Sequence, residues 1–222
     1  MNIERFSDRC TVYPDTDAIE RVELLYDDGL CTIRFRDGTV SAFQRRWGTY
    51  HVAYYGLRFT PDGRRMFTGS WSDGVFALDT RSGETVWHYK CTKIRELFLC
   101  KDGVLALRVG KALCKLDRST GALLGEVSGS ALESCFPLNE QLVLLDGKYG
   151  KLCVVDTDSM TIVQKFAAAV YNPNRCSSLL IQDARLKDGE VLISGLEKYP
   201  DGRGDSEEAQ AFERRIGKAE EK

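Results

Sequence analysis

The sequence predicts an all-β protein built from repeated four-stranded antiparallel units, and three observations lead to this prediction. Asp-Gly pairs stand between apolar, extended segments at 28–29, 62–63, 102–103 and 188–189, with Asn139-Glu140 in the equivalent place of the fourth unit. A second turn, marked by Asp and Gly, recurs at intervals of roughly 40 residues. No convincing long amphipathic helix interrupts the pattern. These features together are typical of a β-propeller, whose blades are sheets of four short strands.

The Asp-Gly pairs define the first turn of each unit. Segments such as LRFTPDGRRMFTGS and LFLCKDGVLALRVG place Asp-Gly between two apolar runs. Glycine accepts the positive φ that a tight hairpin turn imposes, so each pair is a strong hairpin signal. Each unit is therefore expected to run strand, Asp-Gly turn, strand, short loop, strand, Asp…Gly turn, strand.

The second turn is visible when four segments are aligned: AFQRRWGTYHV (42–52), ALDTRSGETVW (77–87), KLDRSTGALLG (115–125) and VVDTDSMTIVQ (154–164). The first turn position holds Gln44, Asp79, Asp117 or Asp156. The fifth holds Gly48, Gly83, Gly121 or Met160. An Asp carboxylate accepts backbone N–H groups of its own turn, and glycine takes the left-handed conformation that ends it.

Five blades account for nearly the whole chain, with repeats at approximately 20–54, 55–92, 93–130, 131–168 and 177–217. The prediction is one domain, 1–217, followed by a frayed tail at 218–222. LISGL (192–196) and AQAFERR (209–215) are expected to be the second and third strands of the last blade, although 206–222 also reads as a terminal helix. CTVYP (10–14) is the candidate fourth strand of that blade, since pairing the two chain ends would leave no open sheet edge.

ALDTRSGETVW resembles the A-x-D-x-x-[ST]-G-x-x-x-W motif of quinoprotein-type propeller repeats. That family includes pyrroloquinoline-quinone dehydrogenases and non-enzymatic outer-membrane assembly lipoproteins. LRFTPDGRRMFTGSWSDG (57–74) also looks like a WD40-type blade. The resemblance implies propeller architecture and says little about function. We expect Asp79, Gly83, Trp87, Asp117, Gly121 and Asp156 to have structural roles, with Trp87 packed against the neighbouring blade.

Composition limits the classes of partner and cofactor. The net charge is −2, from 31 basic and 33 acidic residues. This gives no electrostatic case for nucleic-acid binding. No apolar run is long enough to span a membrane, and the N-terminus shows no signal peptide. The eight cysteines form no CxxC pair and only two histidines are present, so neither a metal nor a cofactor is predicted. Free thiols and a cytoplasmic location are expected.

Two enzyme classes remain as alternatives. The resemblance suggests a quinone dehydrogenase, but this chain is too short for its blade number. A hydrolase acting on a small molecule or carbohydrate would need two carboxylates near the central channel. Glu96 and Asp183, on two of the predicted first strands, are the candidates. No Ser-His-Asp or Cys-His constellation is evident, so no catalytic residue is assigned.

The favoured function is non-catalytic protein binding. In a propeller, the loops between second and third strands share one face with the connections between blades. Those segments are rich in aromatic and cationic residues, which interfaces favour. The predicted partner-binding residues are Trp71, Tyr89, Lys93, Arg108, Lys148, Tyr149, Tyr171 and Arg175. A monomeric module bound to one protein partner is expected, and its size suggests an inhibitor or immunity protein.

Overall fold

The structure is a computed structural model of the full chain, and it describes residues 2–5, 9–25, 29–44, 56–129, 132–147, 151–166, 178–200 and 207–218. All regular elements in these ranges are strands. Their bounds are β1 Asn2–Arg5, β2 Arg9–Tyr13, β3 Ile19–Leu25, β4 Leu30–Phe35, β5 Val40–Gln44, β6 Arg58–Phe59, β7 Arg65–Ser70, β8 Gly74–Asp79, β9 Thr85–Tyr89, β10 Ile94–Leu99, β11 Gly103–Arg108, β12 Ala112–Asp117, β13 Leu123–Ser128, β14 Leu132–Pro137, β15 Leu142–Gly147, β16 Lys151–Asp156, β17 Thr161–Phe166, β18 Ser178–Lys187, β19 Glu190–Pro200 and β20 Glu207–Lys218.

The strands form five antiparallel sheets that follow the order of the chain. The sheets are β1-β2-β3-β4-β5, β6-β7-β8-β9, β10-β11-β12-β13, β14-β15-β16-β17 and β18-β19-β20. Every sheet pairs strands that are neighbours in sequence, as in the predicted blades. The all-β, repeated four-stranded architecture is therefore confirmed. The described ranges contain no helix able to cross a membrane.

The first repeat begins one strand earlier than predicted. The amide of Arg36 donates to the carbonyl of Ala18 (2.9 Å), as Thr80 donates to Arg64 (3.2 Å). These matching bonds show that β2 to β5 correspond to β6 to β9. Gly29 thus directly precedes β4, the third strand of its blade, and the turn before the fourth strand lies at 36–39, whereas Asp28 lies outside the described residues. The assignment of Gln44 to the first turn position was wrong, because Gln44 ends β5.

The prediction that CTVYP completes the last blade was also wrong. Cys10 and Val12 are fully buried, and they stand opposite Leu24 and Val22 of β3 in the first sheet. The other edge of β2 is occupied by β1. A strand has only two edges for main-chain hydrogen bonds, so β2 has none left for another blade.

The last blade has three described strands, which are longer than those of the other blades. LISGL lies within β19 and AQAFERR within β20, as expected. The alternative of a terminal helix does not hold, since β20 extends to Lys218. The segment between LISGL and AQAFERR, residues 197–208, is partly strand, because β19 and β20 stay paired up to Pro200 and Glu207. Residues 201–206 and 219–222 lie outside the described part.

The chain divides into two compact units, one of residues 1–108 and 116–124 and the other of residues 109–115 and 125–222. The core of the first unit is built from alternating strand positions, as in β4, where every second side chain is buried. It includes Cys10, Val12, Ile19, Val22, Ile33, Met66 and Leu78. The core of the second includes Leu142, Leu144, Leu152, Val154, Ile181, Val191 and Ile193. The extent of a single domain over 1–217 stays a prediction.

The described cysteines are free thiols, and most of them are buried. Cys10, Cys31, Cys100, Cys114 and Cys135 are buried, whereas Cys91 and Cys153 are partly exposed. Burial raises the pKa of the Cys31 thiol to about 12. These side chains therefore act as small apolar groups in the sheets.

Candidate functional site

The Asp…Gly turns at one end of the strands are held by their own side chains. The Asp117 carboxylate accepts the amides of Ser119 (2.9 Å) and Thr120 (2.7 Å) together with both of their hydroxyls. These hydroxyl and amide bonds lower the pKa of Asp117 to about 2. Gly121 then donates to the Asp117 carbonyl (2.9 Å) with φ at +73°. The turn is complete without a ligand.

The same arrangement recurs in the two other copies. Asp79 accepts the amides of Arg81 (2.9 Å) and Ser82 (3.1 Å), and Gly83 follows at φ +75°. In the remaining copy Asp156 accepts the amide of Ser159 (2.7 Å), and Met160 takes φ +52° where the other two have glycine.

Trp87 packs on the turn that follows it in the next blade. A Cβ added to Gly121 would lie 2.6 Å from the Trp87 ring, so the indole occupies the space that a side chain would need. The indole N–H donates to the carbonyl of Arg118 (3.0 Å), and Trp87 is 8% exposed. Phe43 lies in the same way against Gly83. Trp87 is therefore placed as a contact between blades, with little ring surface left for a cofactor.

An open cleft of about 420 Å³ lies beside these turns, lined by Phe35, Asp62, Arg64, Asp79 and Arg81 among others. Arg81 lies over the Phe35 ring at 3.6 Å and binds Asp37 (2.8 Å). The other acids also have internal partners, since Arg65 binds Asp79 at 2.6 Å. The charges around this cleft are used to hold the turns together.

The opposite ends of the strands bring together the four predicted binding residues that the structure describes. The amide of Lys93 donates to the carbonyl of Trp71 (2.6 Å), which joins the β7–β8 turn to the connection between β9 and β10. The Tyr89 carbonyl lies directly against Gly74 of the same turn. Arg108 stands opposite Ile94, the residue after Lys93. We call Trp71, Tyr89, Lys93 and Arg108 the Trp71 edge. Lys148, Tyr149, Tyr171 and Arg175 lie outside the described residues.

The Trp71 side chain is presented on a tightly bonded turn. The Ser70 hydroxyl accepts the amides of Ser72 (3.3 Å) and Asp73 (3.2 Å), and both serine hydroxyls donate to the Asp73 carboxylate. The bonds from Ser72 and Ser70 lower the pKa of Asp73. Trp71 itself is 41% exposed, which is high for a residue of its size. The turn therefore fixes an aromatic side chain toward solvent.

Lys93 adds a strained backbone position to this edge. Its φ is +66°, a left-handed conformation that is uncommon for residues with a Cβ. Its hydrogen bond to the Trp71 carbonyl holds it there. Such strained residues persist only where their surroundings impose them, and they cluster at functional sites. Sequence reasoning identified Lys93 as a cation but gave no sign of this conformation.

The two carboxylates predicted for a hydrolase lie in different compact units of the chain. Glu96 lies beside Arg95 (4.0 Å) in the first unit, and Asp183 is an exposed residue of β18 in the second. The structure instead reveals Asp146 in β15. Burial, together with the nearby Glu133, raises the pKa of Asp146 to about 7. Its only sequence signal is an acid that directly follows the apolar run LVLL.

No group of three metal-ligating side chains occurs among the residues that the structure describes. Five of the seven described cysteines lie in five different strands, Cys91 and Cys100 lie outside strands, and the turn carboxylates already accept amides and hydroxyls. The described residues therefore provide an exposed aromatic and cationic edge and one half-buried carboxyl pair.

Comparisons with known proteins agree with the fold. A family model described as outer membrane protein assembly factor BamB matches residues 36–159. BamB from Moraxella catarrhalis superposes with a TM-score of 0.61 at 15% identity, over 98% of this chain and 75% of that chain. The β-propeller domain of Cps50 (Swd1) from Myceliophteria thermophila gives 0.58 at 13%, over 92% and 69%.

An enzyme is also similar in structure. The dihydro-heme d1 dehydrogenase NirN, solved in complex with DHE, gives a TM-score of 0.59 at 12% identity, over 89% of this chain but only 45% of that chain. No curated protein matches the sequence. At these identities the structural matches establish the β-propeller fold, and the choice of function depends on the sites.

Proposed function

The chain belongs to the BamB family of quinoprotein-like propellers, and from that premise we propose that it is a non-catalytic module that binds a protein partner through the Trp71 edge. The observation that carries the proposal is the exposed indole of Trp71 on a turn bonded to a strained lysine. Tryptophan is enriched among the residues that dominate binding energy in interfaces. A rigid turn also lowers the entropy that a partner must overcome on binding.

The relatives support this type of function. Propellers of the BamB and WD40 type commonly mediate protein interactions, and BamB is described as an assembly factor. The contrast between the two ends of the strands points the same way. At the end of the strands that carries the Asp…Gly turns, Trp87 is buried and the charged groups bind each other. At the opposite end of the strands Trp71 projects into solvent. The proposal includes an inhibitor or immunity protein as one form of such a module.

A pull-down from the native host with the full chain as bait tests the proposal. We expect one stoichiometric partner that Trp71→Ala loses and that Val86→Ala keeps. Val86 is a matched control because its exposed fraction of 42% is close to the 41% of Trp71, and because it lies on β9. Loss of binding by both variants, or by neither, would count against the Trp71 edge.

A second variant separates the lysine side chain from its backbone conformation. Lys93→Gly removes the charge but accepts φ +66° without strain. If the lysine side chain contacts the partner, Lys93→Gly weakens binding while the melting temperature is kept. If binding is unchanged, the Lys93 side chain has no role in the interface.

The alternative is a hydrolase that uses Asp146 with Glu133. A half-buried acid with a pKa near neutrality is suited to proton transfer, and this pair is the specific observation in its favour. Asp146→Asn would abolish turnover of a glycoside or ester substrate without loss of folding. Partner binding that survives Asp146→Asn but not Trp71→Ala favours the binding module.

We also propose a reducing compartment such as the cytoplasm. The seven described cysteines are free thiols, and oxidising compartments favour disulfides. Fractionation of the host, followed by thiol labelling of the denatured chain, tests this. Recovery from an exported fraction would contradict it.

A further inference from the structure

The last blade has an open edge among the described residues. The second, third and fourth sheets each have a fourth strand after the Asp…Gly turn, whereas the last sheet has the order β18-β19-β20. β20 pairs with β19 from Glu207 to Lys218 and has no strand on its other side in the described part of the chain. The outer edge of a strand presents main-chain donors and acceptors that can pair with another chain.

The regularly paired part of β20 has acidic residues at one end and basic residues at the other. The register is regular from Pro200 opposite Glu207 to Leu192 opposite Arg215, and it shifts beyond that point, where Gly217 takes φ +135°. The segment from Glu207 to Arg215 reads EEAQAFERR. It begins with two acids, ends with two bases and has Ala211 at its centre.

That pattern is complementary to itself when the segment is reversed. In an antiparallel pair centred on Ala211, Glu207 stands opposite Arg215 and Glu208 opposite Arg214. The two residues of each pair are an even number of positions apart along β20, so both of their side chains belong to the same face of the sheet. Opposite charges directly across two strands stabilise the pair. A partner strand without acids at one end and bases at the other would not form these two acid–base pairs.

The bases of this segment already have partners within the blade. Arg215 binds Glu190 (2.9 Å) and Arg214 binds Glu197. A guanidinium has five N–H donors, so it can donate to more than one carboxylate at a time. The ion pairs with β19 hold these side chains in place beside the edge. Ala211, at the centre, is exposed and small enough for a second strand to approach.

We propose that the chain forms a two-fold symmetric dimer in which β20 pairs antiparallel with β20 of a second copy, centred on Ala211. The same surface is used by both copies, which is the arrangement of the commonest dimers. Each copy then supplies a fourth strand to the last blade of the other, next to the three strands that the structure describes there. This would replace the sequence-based expectation of a monomer, and it does not depend on the Trp71 edge.

The mass in solution and its dependence on charge are the first test. The chain has a mass of 25.0 kDa, so sedimentation equilibrium should give twice that value as concentration rises. Glu207→Arg combined with Glu208→Arg places like charges opposite each other and should weaken association by about tenfold or more. Lys187→Glu is the control, since Lys187 is an exposed residue of β18 away from this edge.

Cysteine cross-linking tests the register. The Ala211→Cys variant places two thiols directly opposite each other across the two-fold axis, within reach of a disulfide. The Ala209→Cys variant shifts the thiols apart by four residues along the strands, about 13 Å, and is the matched control. Mild oxidation should link two chains through the introduced cysteines in the first variant only, and the wild-type chain gives the background from native thiols.

Three results would overturn the proposal. One is a monomeric mass at every concentration together with equal cross-linking of the two variants. Another is a dimer that keeps its affinity in Glu207→Arg with Glu208→Arg, because it would use a different surface. The third is an internal disulfide between position 211 and a native cysteine, because the edge would then be covered by the chain itself.

Discussion

Gly121→Ala tests the packing of Trp87 against the turn of the next blade. Gly121 has φ +73°, and the left-handed conformation costs a residue with a Cβ about 1 kcal/mol relative to glycine. The added Cβ would also lie 2.6 Å from two atoms of the Trp87 ring, where real Cβ atoms are not found. Trp87 cannot move freely, since it is buried and bonded to Arg118.

The contact between the added Cβ and the Trp87 ring makes a second destabilising contribution. Overpacking a well-filled site costs about 1–3 kcal/mol, so Gly121→Ala should lose about 3 kcal/mol in all. Gly38→Ala is the matched control in the same unit, because Gly38 has φ +84° and no atom within 4 Å of its added Cβ. It should lose only the backbone contribution, about 1 kcal/mol.

Equilibrium unfolding in urea, followed by tryptophan fluorescence, measures both variants. The difference between them isolates the contact with the indole from the cost of the left-handed conformation. A second signature is expected in the emission spectrum of the folded Gly121→Ala protein, because the Trp87 ring must shift. Equal losses for the two variants, or a smaller loss at Gly121, would refute the view that Trp87 is wedged against this turn.

Three further predictions concern the same elements. Trp87→Phe removes the indole donor to Arg118 and should lower the free energy of unfolding by about 1–2 kcal/mol, measured in urea; an unchanged value would mean that the hydrogen bond contributes nothing. The pKa of Asp146 is raised to about 7, so its contribution to stability is present below about pH 4 and is lost as pH rises through 7. Asp146→Asn should therefore flatten the decline of the unfolding free energy in a urea series from pH 4.5 to 8. An unaltered dependence of that free energy on pH would contradict the raised pKa of Asp146. The pKa of Asp117 is lowered to about 2, so its contribution is present above about pH 4 and disappears as pH falls toward 2; Asp117→Asn should reduce the loss of stability in acid, and equal acid sensitivity of both proteins would count against it.

Local turn chemistry was predictable because it depends on few neighbouring residues. Asp117 and Gly121 form the expected turn through bonds that span only a few positions, and Asp79 with Gly83 repeats it. The first repeat was misplaced because Phe35 occupies the place of the turn Asp there, with its amide bonded to Thr39. A turn without that signal cannot be aligned from sequence alone.

The candidate site was predictable in its residue types and less so in its geometry. Loop position and composition were enough to select Trp71 and Lys93. Neither the positive φ of Lys93 nor its bond to the Trp71 carbonyl could be foreseen, since both depend on how the β7–β8 turn meets the next connection. The raised pKa of Asp146 likewise depends on burial and on Glu133, which is brought close only by the pairing of β14 with β15.

By itself the sequence determined the all-β class, the repeat of four short strands and the turns between them, because hairpin signals and alternating burial are local properties. The tertiary structure determined which strand edges pair with each other through main-chain hydrogen bonds. Nothing in CTVYP distinguishes the first sheet from the last, and its place was set by burial of Cys10 and Val12 beside β3. The same pairing leaves β20 without a described strand on its outer edge, because pairing over long sequence separations depends on which apolar faces become buried together.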